Sequence, residues 1–437
     1  MTAPTEHHEL PSDSTTRHPP QSWRVLLTLY GITSMVEAIG ISQIFAFLPQ
    51  YLRSMGVPQA QVGPTDGILS SLVFVLGLPL VPLWGVWADK YSRKAVIIRS
   101  AIVEAVVFGG VGLSRAPWQL ALTLLLVGFQ LGNTGVMLSA LRDVSPHRRL
   151  GTVIALFGAT SPVGFAIGPA VGAFMIDGLH LPISAVYFLS ALLSLGVALM
   201  LAIGSREVRP ERVPTGSVGA LAFGAMRGVL TDPAIRNLFV VFGLALFARQ
   251  IANPFLPLAV DKVNAGRPDL ATAIALVVGV AALVGALLSP IAGTIGDRIG
   301  FRPVLLSALF VTAVSFAVLP LMPSIPAMAL VAVVYAAATA AVSTMVFGLV
   351  SLEVAAERRS TTLNLVYLPL YIVGIVGPAI GAVVVGIGLE AVFVLAALLV
   401  GASGVVVLRH RPGGDGLAAI EAGRDAAGAE MRVPPLG

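Results

Sequence analysis

Gly85-Val86-Trp87-Ala88-Asp89-Lys90-Tyr91-Ser92-Arg93-Lys94 separates two apolar runs, and 208 residues later Gly293-Thr294-Ile295-Gly296-Asp297-Arg298-Ile299-Gly300-Phe301-Arg302 does the same. Each stretch sets an acid four residues after a glycine, a base directly behind the acid, and a further base near its end. Other segments return at almost the same spacing. Gly168-Pro169-Ala170-Val171-Gly172-Ala173 reappears as Gly377-Pro378-Ala379-Ile380-Gly381-Ala382, and His147-Arg148-Arg149 as Glu357-Arg358-Arg359. Phe47-Leu48-Pro49 returns as Phe255-Leu256-Pro257. Chance could supply one pair; four at nearly one offset mark an internal duplication.

The composition says where the duplicated unit lives. Hydrophobic residues make up 56% of the 437 residues and charged residues 11%, against roughly 25% charged in an ordinary soluble chain. A mean hydropathy of +0.90 leaves too little polar surface to face water, so the solvent is lipid. With 0 Cys there is no disulfide, thiolate chemistry or Cys-ligated metal. The net charge of +5 is scattered through short loops and forms no basic domain, which excludes a nucleic-acid footprint.

A bilayer core about 30 Å thick takes about 20 apolar residues per helix. Twelve such runs are predicted, at 25–48, 67–88, 95–114, 117–140, 151–175, 182–203, 237–258, 270–292, 303–321, 325–350, 362–386 and 390–408. The expected fold is all-α: two pseudo-symmetric six-helix bundles, 25–204 and 237–408, joined by a linker at 205–236. A polar tail, 1–24, without the pattern of a signal peptide precedes them, and a disordered tail, 409–437, follows. Six spans separate equivalent segments, so the copies run parallel about an axis along the membrane normal. Sites in such folds lie at mid-depth between the repeats.

Positive charge alternates between the loops. Lys90, Arg93 and Lys94, then Arg142, Arg148 and Arg149, then Arg206 to Arg236, then Arg298 and Arg302, then Arg358 and Arg359 fall on one side. The other side holds Arg53, Arg115, Lys262 and Arg267. The positive-inside rule puts the linker and both termini in the cytoplasm.

On these motifs the chain resembles the major facilitator superfamily over essentially all twelve spans. Gly85–Lys94 is similar to its G-x-x-x-D-[RK]-x-G-[RK]-[RK] loop. Gly164-x-x-x-Gly168-Pro169-x-x-Gly172-Ala173 is similar to the helix-5 motif of its antiporter branch. The nearest group is the twelve-span bacterial drug:proton antiporters of the cytoplasmic membrane. The resemblance implies alternating access around a mid-depth site, and Asp89 latching the cytoplasmic face against the N-terminal end of helix 11. Two departures stand out. Ser92 replaces the loop motif's second glycine, and Val127-Gly128-Phe129-Gln130-Leu131-Gly132 lacks the Arg that the family carries ahead of its Q-G and that is associated with proton coupling.

Residue by residue, the expectations are these. Gly85, Asp89, Arg93, Asp143, Arg148, Asp297 and Arg298 form the cytoplasmic gate, or else only a basic topology signal. Gly164, Gly168 and Gly172 recur every four residues, so they share one face and admit a neighbouring backbone, while Pro169 bends the helix. Helix 8 carries a similar stripe, Gly285, Ser289 and Gly293. Three ionisable groups are read inside the spans, Glu37, Glu104 and Arg249; such groups are costly in lipid and usually face a cavity or each other. Glu37 and Glu104 are the proton-coupling candidates. Glu37 and Arg249 differ in depth by about 6 Å at 1.5 Å per residue, so a contact between them is expected, although each could instead be structural. Gln130, Asn133, Arg249, Asn253, Tyr335, Asn364, Tyr367 and Tyr371 are candidate cavity residues, each also compatible with plain interhelical hydrogen bonding.

None of the three lysines, Lys90, Lys94 and Lys262, follows a glycine, which excludes a Walker A loop. All six His lie in tails or loops, and no nucleophile elbow or paired-carboxylate motif appears. No cofactor and no metal are expected. The expected function is proton-coupled efflux of amphiphilic, drug-like small molecules by a monomer. The alternatives are the same fold moving another cargo (lipid, sugar or metabolite) and, further off, a receptor or membrane enzyme.

Overall fold

The structure is a computed structural model and describes residues 21–210, 216–219, 233–353 and 368–409. Its first six helices are α1 Trp23–Ser54, α2 Gln59–Lys90, α3 Arg93–Leu113, α4 Pro117–Val144, α5 Leu150–Gly178 and α6 Ile183–Gly204. Then come α7, built from Pro233–Ala252, Asn253–Phe255 and Leu256–Asn264, and α8 Leu270–Ile299. The last four are α9 Phe301–Leu321, α10 Ile325–Glu353, α11 Leu368–Val384 and α12 Leu389–Arg409. Eleven stretches are long and apolar enough to span a membrane, and Leu370–Val384 is a shorter apolar helix among the described residues. The chain is a multi-pass membrane protein with the expected helix order.

The duplication is visible as packing. In the first copy the glycine stripe of α5 lies on α1. A Cβ on Gly164 would strike the Met35 carbonyl oxygen, one on Gly168 would fall 2.5 Å from the Ile39 carbonyl oxygen, and one on Gly172 would enter the Phe47 ring. In the second copy α11 lies on α7 in the same way. Gly377 would press on Gln250 at 2.9 Å, and Gly381 would enter the Phe255 ring. Phe47 and Phe255, which the sequence aligns, each fill a notch left by an aligned glycine. Close backbone approach is how membrane helices associate when lipid is as apolar as their side chains. The α8 stripe behaves alike: Gly285 faces the Ala336 carbonyl oxygen at 3.1 Å, and the Ser289 and Thr344 hydroxyls are 3.0 Å apart.

The bundles meet at the face away from the linker, called the far face below. Arg53 Nη2 of α1 lies 2.5 Å from Asp261 Oδ2 of α7. Asp177 Oδ2 of α5 accepts from both the amide and the hydroxyl of Thr272 in α8, at 2.7 Å each. Deeper in, a Cβ on Gly67 would fall 2.7 Å from the Pro378 carbonyl oxygen, and one on Gly279 3.0 Å from that of Ala166. Toward the linker face α5 stands clear: of residues 151–159 only Val153 and Phe157 are buried. Thr294, Ile295 and Asp297 on α8 are exposed there too.

Candidate functional site

Glu37 lies at mid-helix on α1, at the head of a half-exposed stripe with Ile41 and Phe45. Its Oε2 accepts a hydrogen bond from Asn133 Nδ2 at 3.0 Å. Gln130 flanks the same carboxylate, with both side-chain polar atoms buried and outside hydrogen-bond geometry. Glu104 on α3 is 2% exposed, one of its oxygens is unpartnered, and it lies within electrostatic reach of Glu37. Two carboxyls and two amides therefore converge inside the first bundle.

A break in α4 creates this arrangement. The helix runs as Pro117–Leu125, Val127–Gln130 and Asn133–Val144, with Gly132 at φ 97°, a conformation open to glycine and strained for other residues. The last fragment begins at Asn133, so the positive end of its dipole lies next to Glu37. The carbonyls freed at the break are met from α3: Ser100 Oγ donates to the Gln130 oxygen at 2.5 Å, and Arg99 Nη2 reaches the Gln130 and Leu131 oxygens at 3.5 Å. The Arg99 guanidinium also stacks 3.7 Å from the Trp84 ring centroid, a cation–π contact. Helix α2 is interrupted at Leu76, where it crosses α4; a Cβ on Gly128 would lie 2.5 Å from the Gly77 amide nitrogen. Irregular backbone survives at membrane depth only where protein or a cavity covers it.

On the other bundle, Tyr335 Oη of α10 donates to Asn253 Oδ1 of α7 at 3.5 Å, and half-exposed Arg249 stands near enough to act on that phenol. Tyr371 of α11 meets Phe74 of α2 edge-on, with centroids 6.4 Å apart, and closes the seam between bundles. Asn364 and Tyr367 fall outside the described residues. Two expectations need correcting for this state. Glu37 is bonded to Asn133 and forms no ion pair with Arg249. Gln130 and Asn133 are 0% and 2% exposed, so they are partners of Glu37 inside the first bundle, turned there by the α4 break, and not open cavity wall.

At the linker face Arg93, 2% exposed, holds Asp89 Oδ1 and Asp143 Oδ2 at 2.8 Å each. Arg142, not Arg148, is the further base on Asp143, at 3.3 Å; Arg148 is exposed. The latch partner expected for Asp89, the N-terminal end of helix 11, precedes Leu368 and lies outside the described residues. Asp297 and Arg298 in the second copy are exposed and make no ion pair among the described residues, and a Cβ on Gly85 would meet nothing within 4 Å. Ser92 explains its own departure from the motif. It is extended at φ −161° and caps α3 by accepting from the Ala95 amide at 3.0 Å, while also bonding Glu207. Its counterpart Gly300 has φ 95°, so the two copies solve one turn in two ways. Lys94 Nζ caps the other end of α6, donating to the Ala202 and Ser205 carbonyls at 2.9 and 2.7 Å.

The profile of the Major Facilitator Superfamily matches residues 26–266 and again 238–427. The chain belongs to the major facilitator superfamily. Among its relatives is "Multidrug resistance protein MdtG" of Citrobacter koseri, 25% identical over 295 residues, which are 67% of this chain and 71% of that one. The protein of the same name from Enterobacter lignolyticus is 28% identical over 298 residues, covering 67% and 69%. Among solved structures, the nucleoside transporter NupG superposes with a TM-score of 0.72 at 17% identity, covering 88% of this chain and 99% of that one. A bacterial homologue of the human lysosomal transporter Spinster gives 0.69 at 16% identity, covering 89% and 96%. The structural likenesses establish the shared fold.

As a member of the superfamily the chain is a transporter, not an enzyme, and among the described residues the carboxyl–amide cluster gathers two carboxyls and two amides at mid-depth. Two residues of that region escape the sequence reading. Arg99 lies inside the predicted third span and is a second cation at membrane depth besides Arg249; a charge count along 95–114 finds it. Asp66, 1% exposed, falls one residue before the predicted second span, because α2 starts eight residues earlier, at Gln59.

Proposed function

We propose that this transporter exports amphiphilic, drug-like small molecules from a bacterial cytoplasm in exchange for protons, working as a monomer in the inner membrane. Relatives named as multidrug resistance proteins support the cargo class. The observation that carries the exchange is Glu37: a carboxyl on the half-exposed stripe of a central helix, held by Asn133 at 3.0 Å and facing a second carboxyl. A group in that position is reached by solvent when the bundles part and enclosed when they close, so its proton can be taken up on one side and released on the other. Loop charge supports a cytoplasmic linker and cytoplasmic termini. The far-face contacts Arg53–Asp261 and Asp177–Thr272 then close the outer side, and the clear inner half of α5 makes the arrangement inward-open.

In this reading Glu37 carries the proton, Glu104 shares its charge, and Asn133 and Gln130 orient the carboxylate. Arg249, Asn253, Tyr335 and Tyr371 offer a cation, an amide and aromatic faces to an amphiphile. The test is flux of a fluorescent hydrophobic cation in proteoliposomes under an imposed pH gradient. Uptake that follows the gradient, competes with other amphiphiles and collapses with a protonophore supports the reading. Flux indifferent to the gradient removes the proton from it.

A further inference from the structure

Between the Glu37–Glu104 pair and the far face, the first bundle holds a second set of buried polar atoms without partners. Asp66 of α2 is 1% exposed and its Oδ2 is unpaired; Ser70, one turn further on, is 0% exposed and its hydroxyl is unpaired. Tyr187 of α6 is 0% exposed with an unpaired hydroxyl on which Asp66 acts electrostatically. The Tyr187 ring lies 5.3 Å from that of Tyr51. The Tyr51 hydroxyl lies 2.9 Å from both the Val111 and Ser114 carbonyls, to either of which it can donate its one proton, and with Ser54, Arg115, Ile183 and Ser184 it lines a cavity of about 600 Å³ at the far face.

From Tyr187 the polar line continues inward on α6. Ser190 Oγ donates to Gln43 Oε1 of α1 at 2.5 Å, and Ser194 Oγ to the Ser190 carbonyl at 2.9 Å. Tyr187, Ser190 and Ser194 stand at i, i+3 and i+7, one face of the helix. Ser194 adjoins Glu104, which faces Glu37. Among the described residues Asp66 has no ion-pair partner. Ser70 stands one turn on along α2 and Tyr187 of α6 is within electrostatic reach; α7 and α11 bring Phe255 and Ala382 against the adjacent Gly67, and Pro117–Leu125 of α4 carries no charge. A lone ionisable residue at membrane depth marks an ion or proton path.

We propose that Asp66 and Tyr187 form a second proton site, filled from the far-face cavity, that delivers protons along the α6 serines to Glu104 and Glu37 inside the first bundle, apart from the space between bundles. The inference rests on the proton-exchange reading above. A hydronium in the cavity, whose wall includes Tyr51, gives its proton to the Asp66 carboxylate by way of the Tyr187 hydroxyl, whose ring stacks on Tyr51. Tyr187 and the serines pass it on once the Ser190 and Ser194 hydroxyls rotate off Gln43 and the Ser190 carbonyl, each oxygen accepting one proton while releasing its own, with single waters bridging the gaps. The proton ends on Glu104 or Glu37 and Asp66 is again a carboxylate, so charge and atoms balance. Tyr187 to Ser194 spans about 10 Å of helix.

The test compares wild type, Asp66→Asn, Tyr187→Phe and Ser190→Ala in proteoliposomes, using a fluorescent hydrophobic cation as cargo. Two rates are read: flux driven by a pH gradient, and cargo-for-cargo counterflow, which moves no net proton. The expected result is a tenfold or greater loss of pH-driven flux in Asp66→Asn and Tyr187→Phe, with counterflow within twofold of wild type. Tyr187→Phe removes one oxygen, so it keeps the question open to measurement where Asp66→Asn fails to fold. Undiminished pH-driven flux in Tyr187→Phe overturns the inference alone, as does parallel loss of flux, counterflow and thermal stability. A wild type with counterflow but no pH-driven flux overturns the coupling reading, and this inference with it.

Discussion

Arg53 and Asp261 occupy the same position in the two copies of the repeat, 208 residues apart, and their side chains meet at 2.5 Å across the bundle interface. The pair is about three-quarters buried, with side-chain exposures of 25% and 23%. It ties α1 to α7 on the side where the bundles are closed. Solvent screening keeps such a pair modest, at roughly 0.5–1 kcal/mol, but a two-state transporter is sensitive at that scale.

Removing the pair is expected to shift the molecule toward its other state. Arg53→Ala should raise the population with parted far-face ends about two- to fivefold, since 1.4 kcal/mol is a factor of ten. Spin-label distances between the outer ends of α1 and α7 report it directly. The exchanged pair, Arg53→Asp with Asp261→Arg, should restore the wild-type distribution; if it does not, the attraction is not what holds the ends together.

Glu37→Gln is expected to abolish pH-driven export while leaving cargo binding within a fewfold of wild type, because an amide keeps the hydrogen bond with Asn133 but carries no exchangeable charge. Asn133→Ala should leave flux present but shift its pH profile. Initial rates across a pH series separate the two, and full pH-driven flux in Glu37→Gln would move the carrier role to Glu104.

The two versions of the gate turn should respond oppositely to mutation. Ser92→Ala loses an N-cap and should cost about 1 kcal/mol, whereas Ser92→Gly should cost a few tenths. Gly300→Ser forces a side chain onto φ 95° and should cost about 1–3 kcal/mol. Thermal unfolding in detergent ranks the three; Gly300→Ser as mild as Ser92→Gly would contradict the turn geometry.

Two motif glycines should likewise separate. Gly168→Val drives a branched side chain into the Ile39 carbonyl and the Ser42 hydroxyl, and should lower yield and stability by well over 1 kcal/mol. Gly85→Ala meets open space and should be neutral, or more stable by up to about 1 kcal/mol from helix propensity alone. Expression and melting temperature of both variants decide the matter.

The fold was legible because it is written twice: Phe47 aligns with Phe255 and Gly172 with Gly381 in the sequence, and the structure adds that in each copy the aligned ring fills the notch at the aligned glycine. Glu37 and Glu104 stood out because lipid makes charge rare. The α4 break was not legible, since Gly132 reads like any of the 46 glycines until its neighbours fix its φ. With the break unseen, Gln130 and Asn133 fall on a continuous helix face aimed at the cavity, and Arg99 has no carbonyls to reach. Asp66 was lost to a span boundary, because hydropathy marks where lipid begins and not where the helix does.

The equivalence of Arg53 and Asp261 bears on ancestry. A dimer of two identical six-helix chains places the same residue at both ends of that contact, so Arg would oppose Arg, or Asp would oppose Asp. Like charges a few ångströms apart repel and push such an interface open. Attraction at this point of the axis is available only once the two copies differ in sequence. Divergence of the two copies thus releases symmetric positions to become complementary, and gives the far-face closure a strength that each half can tune separately.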